Sequence, residues 1–309
     1  MPGQKQDLEV ARHRVESIQK VEPLTKSELK TFFAARKADA SRRFHAQQSN
    51  FLEQSRLTRA ITDPFRQMIG PEERQKSLEA FKERSRLPTA TRKLRRPKFQ
   101  KEEPRITAGS IESIFVPPFF DLEIITSGSG SIGGIADAAM GFEEIFVGPE
   151  GGSGSASAGL FGLYRPISDM PTGLFRPLVR YGFHYHEESW GYTAHTTGTL
   201  TASVIDVTRS PFDSLSGTFQ HTIWQDGTAW YEAHDLAVPV DAANPDFDVQ
   251  WFGPIQVEFP LTAGHRYALL VEIGATADDE TPDFWGASEA TAQLQVQVPL
   301  MAVEETTGR

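Results

Sequence analysis

The sequence predicts an α+β multidomain protein: an N-terminal helical arm or small bundle, followed by an all-β antiparallel sandwich of jelly-roll-like plan. Three observations predict it. Apolar residues recur at three- and four-residue spacing in the first 88 positions and at two-residue spacing beyond Leu178. Turn residues separate the later runs into short segments. The charge also divides: residues 1–105 carry 25 Lys+Arg against 14 Asp+Glu, and residues 106–309 carry 6 against 27. The net charge of −10 therefore hides two segments of opposite sign, with Lys101 the last lysine. Such asymmetry predicts modules that meet different partners.

Four segments follow: a basic helical segment at 1–88, a basic linker at 89–105, a Gly/Ser-rich connecting segment with short strands at 106–165, and an acidic β-sandwich at 166–309. In the first, Leu8, Ala11, Val15 and Ile18 share one face of a short helix. Thr25 and Glu28 form a capping-box pattern, in which hydroxyl and carboxylate each satisfy an orphan backbone N–H. Leu29, Phe32 and Phe33 follow at helical spacing, and Phe44, Phe51, Leu52, Leu57 and Ile61 extend a thin apolar set. Asp63-Pro64 suits a second helix start and Gly70-Pro71 a break. Leu78 and Phe81 mark a last helix ended by Pro88. So narrow a stripe buries little area, which makes this segment marginal alone.

Between Thr89 and Arg105 stand Arg92, Lys93, Arg95, Arg96, Lys98 and Lys101, with Pro97 and Pro104 against a regular helix. This run is the candidate polyanion- or partner-binding patch, because each phosphate it neutralised would add salt-dependent affinity. Only Phe99 lies among the charges, so base stacking is not indicated. From Ser127 to Gly159, 16 of 33 residues are Gly or Ser, interrupted by Ile132, Ile135, Met140, Phe142, Ile145 and Phe146. Such a segment would pack over the sandwich, join subunits, or insert into a membrane.

The predicted strands are Leu178–His186, Tyr192–Thr208, Gly217–Gln225, Ala229–Ala237, Ile255–Phe259, His265–Ile273 and Ala290–Val303. Asp226-Gly227 is a hairpin signal between two of them. In the last strand, Ala292, Leu294, Val296 and Val298 alternate with Thr291, Gln293, Gln295 and Gln297, one dry face and one wet.

Candidate chemistry is sparse. The absence of cysteine excludes disulfides, thiolate metal sites and a cysteine nucleophile. A Walker A loop, an H-E-x-x-H helix and a G-x-S-x-G elbow are missing. Gly128-x-Gly130-x-x-Gly133 matches a dinucleotide fingerprint only if a helix follows over Gly134–Glu144; the competing expectation is a loop. His184, His186 and Glu188 fall on one strand face and form the candidate divalent-metal set, with Glu187, His195, His221 and His234 as further donors. Asp278, Asp279, Glu280 and Asp283, and separately Asp246 and Asp248, read as solvated acidic turns without EF-hand spacing. All five Trp lie beyond residue 189; most are expected in the core, with Trp230, Tyr231 and Trp285 as candidate ligand-binding aromatics beside turns.

The plan of a basic arm joined to a sandwich head resembles that of some capsid and particle proteins. The sequence thus reads as a non-enzymatic structural or binding protein with no required cofactor. Its expected partners are a second copy or a scaffold protein, with nucleic acid through the basic arm and glycan or membrane as further candidates. Two other readings stand beside it: a membrane-inserting, toxin-like protein using the Gly/Ser segment, and a metal-dependent jelly-roll enzyme. The polar N-terminus lacks the apolar core of a signal peptide. The expected location is the cytoplasm, or release within a particle or by a signal-independent route.

Overall fold

A computed structural model of the chain describes residues 21, 23–66, 68–73, 75–76, 79–80, 113–166, 170–208, 215–229, 232–238, 255–280 and 287–306. One long helix, α1 (Lys26–Arg66), precedes thirteen strands. These are β1 (Ser113–Phe115), β2 (Phe120–Asp121), β3 (Ile125–Ser127), β4 (Gly130–Asp137), β5 (Phe142–Pro149), β6 (Gly152–Tyr164) and β7 (Thr172–Trp190), then β8 (Thr193–Asp206), β9 (Leu215–Ala229), β10 (Ala233–Val238), β11 (Val257–Pro260), β12 (Tyr267–Asp279) and β13 (Ala287–Thr306). The named strands pair antiparallel in two sheets. The seven-stranded sheet runs β10-β7-β13-β5-β4, with β1 beside β13 and β11 beside β7. The six-stranded sheet runs β2-β6-β12-β8-β9, with β3 beside β6. The chain changes sheet repeatedly, from β5 to β6, β6 to β7, β7 to β8 and β12 to β13. The result is the antiparallel, jelly-roll-like sandwich that the alternation predicts.

The helix begins as the capping box dictates. Thr25 N donates to Glu28 Oε2 at 2.7 Å, and Glu28 N donates to Thr25 Oγ1 at 3.3 Å. Those bonds hold the Glu28 carboxyl below its ordinary range. No Gly or Pro occurs from Lys26 to Asp63, so nothing stops propagation. Asp63-Pro64 does not start a new helix as expected. Pro64 is absorbed in the last turn of α1, where it forgoes a single backbone bond. Helical turns resume at Pro71 after the Gly70 break. The helix expected over Leu8–Ile18 and the whole basic linker lie outside the described residues.

The sandwich interior takes alternate residues from each sheet: Leu294, Val296 and Val298 of β13 meet Leu269, Val271 and Ile273 of β12. The Gly/Ser stretch, expected as a connection, supplies central strands of this interior. Ile145, Val147, Ala156, Ala158 and Leu160 are buried there. Small side chains carry little periodic signal, so short strands were expected here but their length and place in the core were not readable from the pattern. The fingerprint glycines lead into the β4–β5 hairpin, and no helix occupies Gly134–Glu144. Nor does Asp226-Gly227 turn: β9 passes straight through both, paired with Thr196 and His195 of β8.

Candidate functional site

The outer face of the six-stranded sheet receives α1. Phe161 and Leu163 of β6, Ile205 of β8, and Ala268 and Leu270 of β12 point away from the sandwich interior and pack on Leu24, Leu29, Phe32 and Phe33. The Phe32 ring, fully buried, lies 5.4 Å from that of Phe161. Beyond this apolar patch the contact becomes ionic. Arg36 pairs with Glu272 of β12, and Arg43 Nη2 lies 3.4 Å from the same carboxylate. Gln47 reaches Thr276. Ser55 Oγ donates to Glu280 Oε1 at 2.6 Å, Thr193 Oγ1 donates to it at 2.9 Å, and Arg59 pairs with Glu280. The Arg59 guanidinium also stands 4.6 Å from the centroid of the Tyr192 ring. At the other end Arg266 Nη2 meets Glu28 Oε1 at 2.6 Å.

Helix and strand are matched in length. From Glu28 to Arg59 the helix rises about 46 Å at ~1.5 Å per residue, and from Arg266 to Glu280 the strand rises about 46 Å at ~3.3 Å per residue. The two elements therefore stay in step from end to end. Arg36 is 7% exposed, and burial pushes its guanidinium down to about 10. Glu272 and Glu280 are buried as well, and Asp278 and Asp279 beside Glu280 are buried too, so the acidic run at the end of β12 is not the solvated turn expected. Asp283, Asp246 and Asp248 lie outside the described residues.

A second polar assembly sits inside the sandwich. On β7, Phe183, Tyr185 and Glu187 turn inward, while His184, His186 and Glu188 turn outward. The rings of Phe183 and Tyr185 stack with Trp224 of β9 at 4.9 and 6.0 Å. Trp224 Nε1 donates to Thr196 Oγ1 at 3.1 Å, and the Thr196 hydroxyl donates to Glu187 Oε1 at 2.6 Å. Tyr185 Oη donates to Asp226 Oδ2 at 2.7 Å; that oxygen also lies 3.0 Å from His234 Nδ1. Glu187 is 0% exposed, and its Oε2 has no hydrogen-bond partner. Burial pushes its carboxyl up to about 7, the Asp226 charge adding and the Thr196 bond opposing. Burial would raise Asp226 too, but bonds from Tyr185, Gly227 and His234 outweigh it and hold the group low.

The expected metal set is not assembled. His184 Nε2 lies 3.1 Å from Asp235 Oδ1, and His186 Nδ1 lies 3.7 Å from its Oδ2. Among the described residues, the donor group that converges is Glu187, Asp226 and His234, with ligand atoms within 4.8 Å of one another. Two of these were candidate donors by type. Asp226 was missed because Asp-Gly reads as a turn. Trp224 and Trp190 are buried, in line with the core expectation. Trp230, Tyr231 and Trp285 lie outside the described residues, as do Arg92, Lys93, Arg95, Arg96, Lys98 and Lys101.

Buried carboxyls set a testable pH dependence. Burial raises Glu143 well above its ordinary range and lifts Asp279 to about 7, with Glu289 and Asp278 adding to the latter. A folded-state pKa above the unfolded one means that the native state holds the proton longer. Stability then falls as pH rises from about 4 through 7. Asp279→Asn keeps an acceptor for Gly152 N, now 2.7 Å from Asp279 Oδ1, and removes the titration. The variant is expected to be more stable than the parent at pH 8, by the order of a few kcal/mol, and so to melt at a higher temperature there, and to match it near pH 4. Thermal melts across that range check this; parallel curves would refute it.

No family model matches the chain, and no curated protein matches it. Three solved structures illustrate its distant similarities. The carbohydrate-binding module TmCBM61 in complex with β-1,4-galactotriose is 10% identical, spans 59% of this chain and 88% of its own, and has a TM-score of 0.18. The family 11 carbohydrate-binding module of Lic26A-Cel5E of Clostridium thermocellum is 7% identical over 62% and 90%, with a TM-score of 0.17. The structure of infectious bursal disease virus, Gx strain, is 10% identical over 69% and 42%, with a TM-score of 0.22. The assignment as a jelly-roll-like sandwich rests on the sheets themselves.

Proposed function

We propose that this chain is a non-enzymatic binding and assembly protein, in which a basic helix docks along an acidic sandwich face, within one copy and between copies. The observation that supports this most is the ionic ladder of Arg36, Arg43 and Arg59 on Glu272 and Glu280, in step over the length of β12. Apolar packing is concentrated near the helix start, so the rest of the contact depends on charge; salt screens its exposed arginines, Arg43 and Arg59, and acts little on the buried pair of Arg36 and Glu272. Leu52, Leu57 and Ile61 remain 60–69% exposed on α1, which leaves apolar surface for a second copy.

The membrane-inserting alternative is less well supported. Insertion would withdraw β4 and β5 from the seven-stranded sheet and expose Phe142 and Ile145, both buried. No described helix is long and apolar enough to cross a membrane. Light scattering with small-angle X-ray scattering tests the proposal, comparing the full chain with residues 106–309 at low and high salt. The expected result is an oligomer of the full chain that dissociates in salt and needs residues 1–105. A compact monomer under every condition would overturn the assembly reading.

A further inference from the structure

Three strands bring together Glu187 (β7), Asp226 (β9) and His234 (β10) at one end of the sandwich. The positions are nonlocal in register: Glu187 faces His234 across the β7–β10 pair, and Asp226 arrives from the other sheet. Asp226 Oδ2 and His234 Nδ1 are already 3.0 Å apart, the separation of two ligands on one small cation. A cluster of this kind is commonly no more than a hydrogen-bonded network. The independent observation here is Glu187 itself, 0% exposed, with its Oε2 lacking a hydrogen-bond partner and one of its carboxylate oxygens within 4.8 Å of the other two donors. A buried carboxylate oxygen left bare is costly, and a cation is the partner that the neighbouring donors supply room for.

We infer that Glu187, Asp226 and His234 form a binding site for one divalent transition-metal ion, of the zinc or manganese class. One imidazole nitrogen with two carboxylates suits those ions better than calcium, which takes oxygen alone. Two supporting bonds orient the carboxylates as outer partners do in metal sites: Tyr185 Oη donates to Asp226 and Thr196 Oγ1 donates to Glu187. The ion would take the place of the direct contact between Asp226 Oδ2 and His234 Nδ1. Because β9 ends the six-stranded sheet and β10 ends the seven-stranded sheet, it would tie the two sheet edges together. With three protein donors a further position stays open toward the half-exposed His234 side.

Isothermal titration of chelator-treated full-length protein with zinc chloride, and separately manganese chloride, tests the site. The expected result is one ion per chain for the parent protein, at least tenfold weaker binding in Glu187→Gln and His234→Gln, and unchanged binding in His186→Gln. His234 is partly exposed, so its variant is expected to fold, and a circular dichroism melt without metal verifies that. Absence of saturable binding below millimolar ion, or equal affinity in His234→Gln, overturns the site. Loss of binding in His186→Gln but not in His234→Gln also overturns it, and moves the ion to the outward histidines.

Discussion

Glu272→Ala is expected to lower the free energy of unfolding by about 3–5 kcal/mol, the range for removing one partner of a buried ion pair. The cause is what remains. Arg36 is buried on the sheet-facing side of α1 and would lose its facing charge, whereas Arg43 keeps Asp39 Oδ2 at 2.9 Å. Arg36→Met with Glu272→Met should recover most of the loss, since matched apolar side chains cost less than an unpaired charge. Urea titrations followed at 222 nm report both, because the helical signal follows α1. An unchanged midpoint in Glu272→Ala would show that the ionic ladder does not hold the helix.

Gly198→Val is expected to be as damaging for a different reason. Gly198 faces Trp224 across the β8–β9 pair, and a Cβ there would lie 1.8 Å from Trp224 Cζ3. The indole would have to leave its stack with Phe183 and Tyr185 and abandon the bond to Thr196. The expected cost is about 3–5 kcal/mol, similar to deleting a large core ring, with loss of near-ultraviolet dichroism. Gly227→Ala is the control on the same strand pair. Its nearest non-neighbouring atoms lie 3.4 Å away, and it should change stability by less than about 1 kcal/mol. A Gly198→Val protein with native near-ultraviolet signal and stability would refute the packing argument.

The features legible in the sequence are those with a local cause. The Thr25/Glu28 cap needs residues three apart, and β13 shows its dry face in the alternation of Ala292, Leu294, Val296 and Val298, while the face expected to be wet is half-buried, with Gln295 fully buried. β4 to β6 were legible only as unplaced short strands, because Gly, Ser and Ala mark neither face strongly. The helix interface was illegible because its partners lie over two hundred residues apart, as Arg43 and Glu272 do. The charge split was read as modules that meet different partners, whereas α1 docks on the chain's own sandwich. The interior site was half legible. Glu187 and His234 were candidates by chemistry, but only the register of three strands joins them to Asp226.

The placement of β13 has a consequence for biosynthesis. It is the last strand in sequence, yet it lies between β7 and β5 in the middle of its sheet. Until those twenty residues leave the ribosome, β5 and β7 each have a bare edge where β13 belongs. The nascent chain thus carries two open templates for pairing with any neighbouring strand from the completion of β7 at Trp190 until β13 begins at Ala287. The seven-stranded sheet therefore cannot close until β13 has been made, and a chaperone that shields β5 and β7 would act on the two edges left open until then.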